Sequence, residues 1–137
     1  MRAPLSTLLE TMESRVPPAL FAVDLIECMR LLELDPTAIT AAFGAALRRA
    51  GATIVEQLSH TFSGAGLTCV FILSESHAVL HTWPETGTVN IDIFSCSTRL
   101  RSLEAIEELR GTFGALHVTI QEISHTDGHS RPSHGRR

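Results

Sequence analysis

Residues 67–95 read LTCVFILSESHAVLHTWPETGTVNIDIFS, and this stretch decides the fold. It holds three apolar, β-leaning runs, at 67–74, 77–82 and 88–95, set off by Gly or Pro signals. A fourth run of the same kind occupies 52–59. Upstream, Asp35-Pro36 is a strong helix start, with Asp as N-cap and Pro in the first turn. Ile39, Phe43 and Leu47 follow at helical spacing, and Gly51 is a natural stop. Residues 20–28 read as a strand interrupted by Asp24 and Glu27. Residues 6–16 read as a short helix, with Leu8, Leu9 and Met12 on one face, stopped by Pro17-Pro18. Downstream, a helix over about 99–112 carries Leu103, Ile106 and Leu109 on one face and ends near Gly111 and Gly114. A last strand, 115–123, alternates Leu116, Val118 and Ile120 with polar neighbours.

This order (strand, helix, four strands, helix, strand) predicts an α+β fold, a two-layer α/β sandwich with a mainly antiparallel sheet and both helices on one face. The sheet's other face also needs cover, and the chain offers no second layer. A homodimer packed sheet to sheet, in four layers α/β/β/α, is the simple solution. The expected organisation is an N-terminal extension over 1–18, one domain over 19–123, and a polar, disordered tail over 124–137 rich in Ser, His, Gly, Pro and Arg.

Composition narrows the function classes. With 137 residues, 44% of them hydrophobic and 19% charged, the chain can bury a core without staples. A net charge of −4 gives no support to a nucleic-acid-binding surface. Apolar stretches such as Cys69 to Leu73 are too short to span a bilayer, and the first residues lack a signal-peptide pattern. Cys28, Cys69 and Cys96 are odd in number and widely spaced, which fits neither a disulfide framework nor a zinc finger. A cytoplasmic protein with reduced thiols is the expectation. A metal role for His125, His129 and His134 has little support in so flexible a segment, so no metal is expected. All 11 basic residues are Arg. Without Lys, the chain cannot hold pyridoxal phosphate as an internal Schiff base or use a Lys amine as a covalent catalyst.

The residues with chemical potential are concentrated in Ser74-Glu75-Ser76-His77, His81-Thr82-Trp83-Pro84-Glu85 and Asp92-Ile93-Phe94-Ser95-Cys96. Each has an ordinary reading. A Ser between strands is a turn residue, a His in a strand is a hydrogen-bonded structural residue, and Cys96 is a small buried hydrophobe. Trp83-Pro84 is a strand end with an aromatic plug.

Together, the three segments resemble the bacterial and archaeal S-adenosylmethionine decarboxylases. That family's signature is Ser-Glu-Ser-His, then His-Thr-(aromatic)-Pro-Glu, then Asp-(apolar)-Phe-(Ser/Thr)-Cys. The spacings fit without a gap, and the similarity extends more weakly over about 20–123, including Gly51-Ala52-Thr53-Ile54-Val55. The resemblance implies a proenzyme that cuts its own Glu75–Ser76 bond and turns Ser76 into a pyruvoyl group, a covalent carbonyl cofactor that suits a Lys-free chain. It implies His81 as the processing base and Cys96 as the proton donor in turnover. Thr68 aligns with a Ser that assists processing; it keeps the hydroxyl and adds a methyl, so slower self-cleavage is the expectation. Phe62 aligns with the ring that stacks on adenine, and Glu85 with the carboxylate that holds the ribose hydroxyls. The pyruvoyl ketone would form a Schiff base with the α-amine of S-adenosylmethionine and draw off electrons as carbon dioxide leaves. The product would be the aminopropyl donor for spermidine.

The sequence also departs from the family. Ala19-Leu20 and Leu25-Ile26 stand where Arg-His and paired aromatics are common. Thr86 and Thr88 replace aromatics, and Ser97 replaces a Gly. These changes keep two other readings open: the same machinery acting on arginine or ornithine, and a non-catalytic relative that binds or regulates a partner.

Overall fold

The computed structural model describes residues 15–97, 100–126 and 128. Six strands form a single sheet: β1 (Arg15–Cys28), β2 (Ile54–Thr61), β3 (Leu67–Leu73), β4 (Ser76–Trp83), β5 (Thr88–Ser97) and β6 (Ala115–Ser124). Their spatial order is β2-β3-β4-β5-β1-β6, with every pairing antiparallel. Two helices, α1 (Pro36–Arg49) and α2 (Ser102–Phe113), cover one face. The α+β, two-layer arrangement anticipated above is therefore the observed one.

Alternation sorts the strands' side chains. On β4, Ala78, Leu80 and Thr82 are buried, while His77, Val79 and His81 are half-exposed on the opposite face. On β5, Val89, Ile91 and Ile93 point inward. With Leu67, Cys69, Phe71 and Leu73 of β3 and Val23 and Leu25 of β1, they form the sheet's contribution to one core. Such strict period-two burial fixes the register, because a slip of one residue would turn each strand's apolar set toward solvent. From α1, Ile39, Phe43, Ala46 and Leu47 complete the core, with the Phe43 ring 5.1 Å from that of Phe71.

Helix α1 starts where expected. The Asp35 carboxylate accepts a hydrogen bond from the Ala38 N–H at 2.7 Å, and Pro36 occupies the first turn. Helix α2 ends at Gly114, whose φ of 63° suits the left-handed position that closes a helix. Gly111 lies inside the helix. Its buried stripe also differs from the expected one: Leu103 is 56% exposed, while Ala105, Ile106, Leu109 and Phe113 are buried. Residues three apart drift about 60° around a 3.6-residue helix, so Leu103 falls off the face centred on Ile106 and Leu109.

The strand predicted at 20–28 begins earlier. Strand β1 starts at Arg15 and passes through Pro17-Pro18, so the predicted helix over 6–16 does not include Arg15 and Val16; its residues 6–14 lie outside the described residues. The prolines are accommodated by a register break between Arg15 and Ala19 in the pairing with β5. Proline has no N–H for a ladder, and a bulge is where a strand tolerates that loss. At the other end, the His125 N–H donates to the Pro18 carbonyl at 2.7 Å, carrying the β1–β6 contact two residues into the predicted tail. Positions 127 and 129–137 of that tail lie outside the described residues.

Among the described residues no helix is long and apolar enough to cross a membrane. Replacing Asp35 with Ala removes the N-cap of α1 and should lower the unfolding free energy by about 1 kcal/mol. Urea denaturation checks this, and an unchanged midpoint would mean the cap contributes nothing.

Candidate active site

The turn between β3 and β4 carries the Glu75–Ser76 bond. The Glu75 side chain is buried, at 7% exposure, and its Oε1 accepts a hydrogen bond from the Thr53 N–H at 3.1 Å. Its main-chain carbonyl accepts from the Cys96 N–H at 3.3 Å, and the Cys96 thiol donates to the same oxygen at 3.5 Å. Ser76 is the first residue of β4, paired with Leu73 on one side and Ser95 on the other. Its φ is 155°. A non-glycine residue held at positive φ stores roughly 1–3 kcal/mol of strain, which the surrounding pairing has to offset. The Ser76 hydroxyl is 3.5 Å from Nδ1 of His77, whose ring stacks on Phe94 at 5.3 Å. Glu75, Ser76 and Cys96 thus meet at one end of β4.

The three thiols differ in environment. Burial pushes the Cys28 thiol up to about 11 and raises that of Cys69, where a hydrogen bond with Thr40 opposes the burial effect. Both behave as small core residues. Cys96 is exposed, unlike the buried hydrophobe of its ordinary reading.

The other end of β4 holds a second set. Thr68 lies directly opposite His81, with its hydroxyl 2.8 Å from Nδ1 of the ring. If that hydroxyl donates, the ring proton sits on Nε2 and Nδ1 is the acceptor. Phe62, Thr68, His81, Trp83 and Glu85 line a cleft of about 380 Å³. Gly66 also lines it, and a Cβ there would sit 3.2 Å from the Thr82 carbonyl, so a side chain would crowd the cleft wall.

Trp83, a plug at a strand end by its sequence, is part of this cleft. Its indole N–H donates to Asn90 Oδ1 at 2.5 Å, and the Asn90 amide donates to Asp24 Oδ1 at 2.6 Å. Thr119 donates to the other Asp24 oxygen at 3.4 Å. This polar ladder crosses β4, β5, β1 and β6 on the open face of the sheet. The available signal was the odd-numbered position of Trp83 on β4, which places it on the same face as His81.

The two sets are separate within one chain. His81 follows Ser76 by five residues of the same strand, and at about 3.3 Å per residue that is roughly 16 Å. Glu75, Ser76 and Cys96 are together; Phe62, Thr68, His81 and Glu85 are together.

The comparisons agree with this architecture. A solved structure of the adenosylmethionine decarboxylase from Aquifex aeolicus superposes with a TM-score of 0.72 at 19% identity, covering 88% of this chain and 99% of that one. The chain therefore shares that protein's α+β fold, a likeness of fold alone at this identity. By sequence, residues 20–126 match the family described as S-adenosylmethionine decarboxylase. A protein of Acidithiobacillus ferrooxidans named S-adenosylmethionine decarboxylase proenzyme is 39% identical over 89 residues, which are 65% of this chain and 67% of that one. A protein of the same name from Prochlorococcus marinus is 34% identical over 101 residues, covering 74% and 81%. The chain belongs to the S-adenosylmethionine decarboxylase family.

The burial contrast predicts thiol reactivity. In native protein, iodoacetamide should modify Cys96 first and spare Cys28 and Cys69 until denaturant is added, as read by peptide mass mapping. Equal labelling of all three would contradict the burial of the other two.

Proposed function

We propose that this chain is a self-processing, pyruvoyl-dependent decarboxylase acting on S-adenosylmethionine, and that its product feeds spermidine synthesis. The observation that carries the reading is the Glu75–Ser76 junction: a peptide carbonyl bonded to Cys96, next to a serine at positive φ. In processing, the Ser76 Oγ bonds to the Glu75 carbonyl carbon while the C–N bond breaks, and the hydroxyl proton passes to the freed nitrogen. Negative charge that builds on the Glu75 oxygen faces the Cys96 N–H, as in an oxyanion hole. Removal of the Ser76 Cα proton then expels the Glu75 carboxylate from Cβ and leaves dehydroalanine. Tautomerisation, addition of water and loss of ammonia leave the ketone. The arrangement of Ser76 fits this origin for the cofactor. Once formed, the pyruvoyl group supplies a carbonyl that withdraws electrons as carbon dioxide departs.

The chain's own residues do the rest. Cys96, exposed beside position 76, returns a proton to the substrate carbon. Phe62 offers a face for the adenine ring and the sulfonium charge. Trp83, held by Asn90, adds a second aromatic wall, and Glu85 accepts from the ribose hydroxyls. Two aromatic side chains suit a flat nucleoside better than a flexible arginine or ornithine. Three free thiols fit a cytoplasmic setting.

A homodimer completes the site in this reading. His81 is roughly 16 Å from its own Ser76, too far to act as its base. Two sheets packed face to face about a two-fold axis would lay the His81 end of one protomer over the Ser76 end of its partner. The open face also exposes Leu58, Ile72, Trp83 and Ile123, a surface that favours such cover.

Intact-mass measurement tests the processing. The wild type should give two chains, and Ser76→Ala a single chain of about 14.9 kDa; a wild type that stays whole after long incubation sinks the proposal. Cys96→Ala keeps the backbone N–H, so it should still be cut yet release little carbon dioxide from S-adenosylmethionine. Release from arginine or ornithine instead would replace the substrate assignment. Ser76→Ala and His81→Ala chains, each uncut alone, should restore cutting of the His81→Ala chain when co-expressed; no restoration would argue against the shared site.

A further inference from the structure

The scissile turn is gripped on two sides. From β5, Cys96 bonds the Glu75 carbonyl. From the segment leading into β2, Thr53 bonds the turn twice: its N–H donates to Glu75 Oε1 at 3.1 Å, and its carbonyl accepts from the Ser74 N–H at 2.9 Å. The cleavage chemistry as written uses only the Glu75 main chain, and its side chain leaves no atom in the reaction. Yet a carboxylate at 7% exposure is a costly group to bury unless it is bonded there, and Thr53 supplies that bond.

The tether also has a mechanical sense. With the Glu75 side chain fixed to Thr53 and its carbonyl fixed to Cys96, rotation of the Glu75 peptide plane is restrained at both ends. Ser76, immediately after it, is held at a φ of 155°. A peptide free to turn would relax that residue into the ordinary extended region and move the carbonyl carbon relative to the Ser76 hydroxyl.

We propose that the Glu75 carboxylate is a positioning residue for self-cleavage: its hydrogen bond from the Thr53 N–H holds the Glu75 carbonyl in the orientation that Ser76 attacks. The inference rests on the self-cleavage reading above. What matters in it is an acceptor oxygen at this reach, not the negative charge. Gln keeps the oxygen and the length. Asp keeps the charge and is one methylene short. Ala keeps neither.

The experiment follows cutting of full-length Glu75→Gln, Glu75→Asp and Glu75→Ala chains by intact mass over time, beside the wild type and Ser76→Ala, with melting temperatures for all. Ala and Asp should slow cleavage by about tenfold to a hundredfold, the range a misplaced reacting group produces, and Gln should return it to within about threefold of wild type. Cleavage of the Ala variant at the wild-type rate would overturn the proposal, as would a Gln variant as slow as Ala beside a fast Asp variant. Should Ala lower the melting temperature, the contrast between the folded Gln and Asp variants decides the matter. A wild type that is never cut would remove the self-cleavage reading itself, an outcome distinct from any of these.

Discussion

Strand β4 is the constraint on which the site depends. It sits inside the sheet with β3 and β5 paired to it from Ser76 onward, and a strand paired on both sides can neither bend nor shorten. Its two ends therefore hold their groups at a fixed distance. One end carries the Glu75–Ser76 bond, and the other carries a histidine hydrogen-bonded to Thr68. In the proposed homodimer, the same rigidity would let a two-fold copy match one end against the other.

The division of labour between the sheet's faces follows from the same alternation. Inward positions of β3, β4 and β5 are almost wholly apolar and fix the register against α1 and α2. Outward positions are then free to hold polar groups, and they do so in connected rather than scattered fashion. The ladder from Trp83 through Asn90 to Asp24 and Thr119 ties four strands together side chain to side chain. Its members must keep their partners if the face is covered, since an unpaired polar group away from water is costly. Fully paired, such a network gives one docking register an advantage over neighbouring ones.

Much of this was legible in the sequence because local rules and the global fold agree. The four apolar runs from 52 to 95, the Asp35-Pro36 cap and Gly114 each signal their own element, and tertiary packing did not override them. Where rules conflict, the local signal is overridden. Pro17-Pro18 is a local stop signal, yet β1 passes through it because a register break absorbs the missing N–H groups. Leu103 has helical spacing from Ile106, yet the drift of the stripe leaves it in solvent. The motif spacing places Ser76 and His81 close in sequence, and that nearness conceals a structural distance: five residues of strand reach much farther than five residues of helix. The Asp24–Asn90 bond joins residues 66 apart in sequence, a contact that no local pattern signals.

The lack of Lys and the grip on the β3–β4 turn bear on one physical problem. On the proposed function, a Lys-free chain would draw its electrophilic carbonyl from its own backbone, whose carbonyls are all resonance-stabilised and unreactive. To make one of them reactive, the fold must single it out. The single φ of 155° at Ser76 is not sufficient, because strain that can relax is lost. It persists only where neighbouring groups prevent relaxation, and here they come from two directions, Cys96 on β5 and Thr53 beside β2. Those segments lie on either side of the β3–β4 turn in the sheet order. The antiparallel order β2-β3-β4-β5 therefore builds the sheet and also places one donor on each side of the Glu75–Ser76 peptide bond.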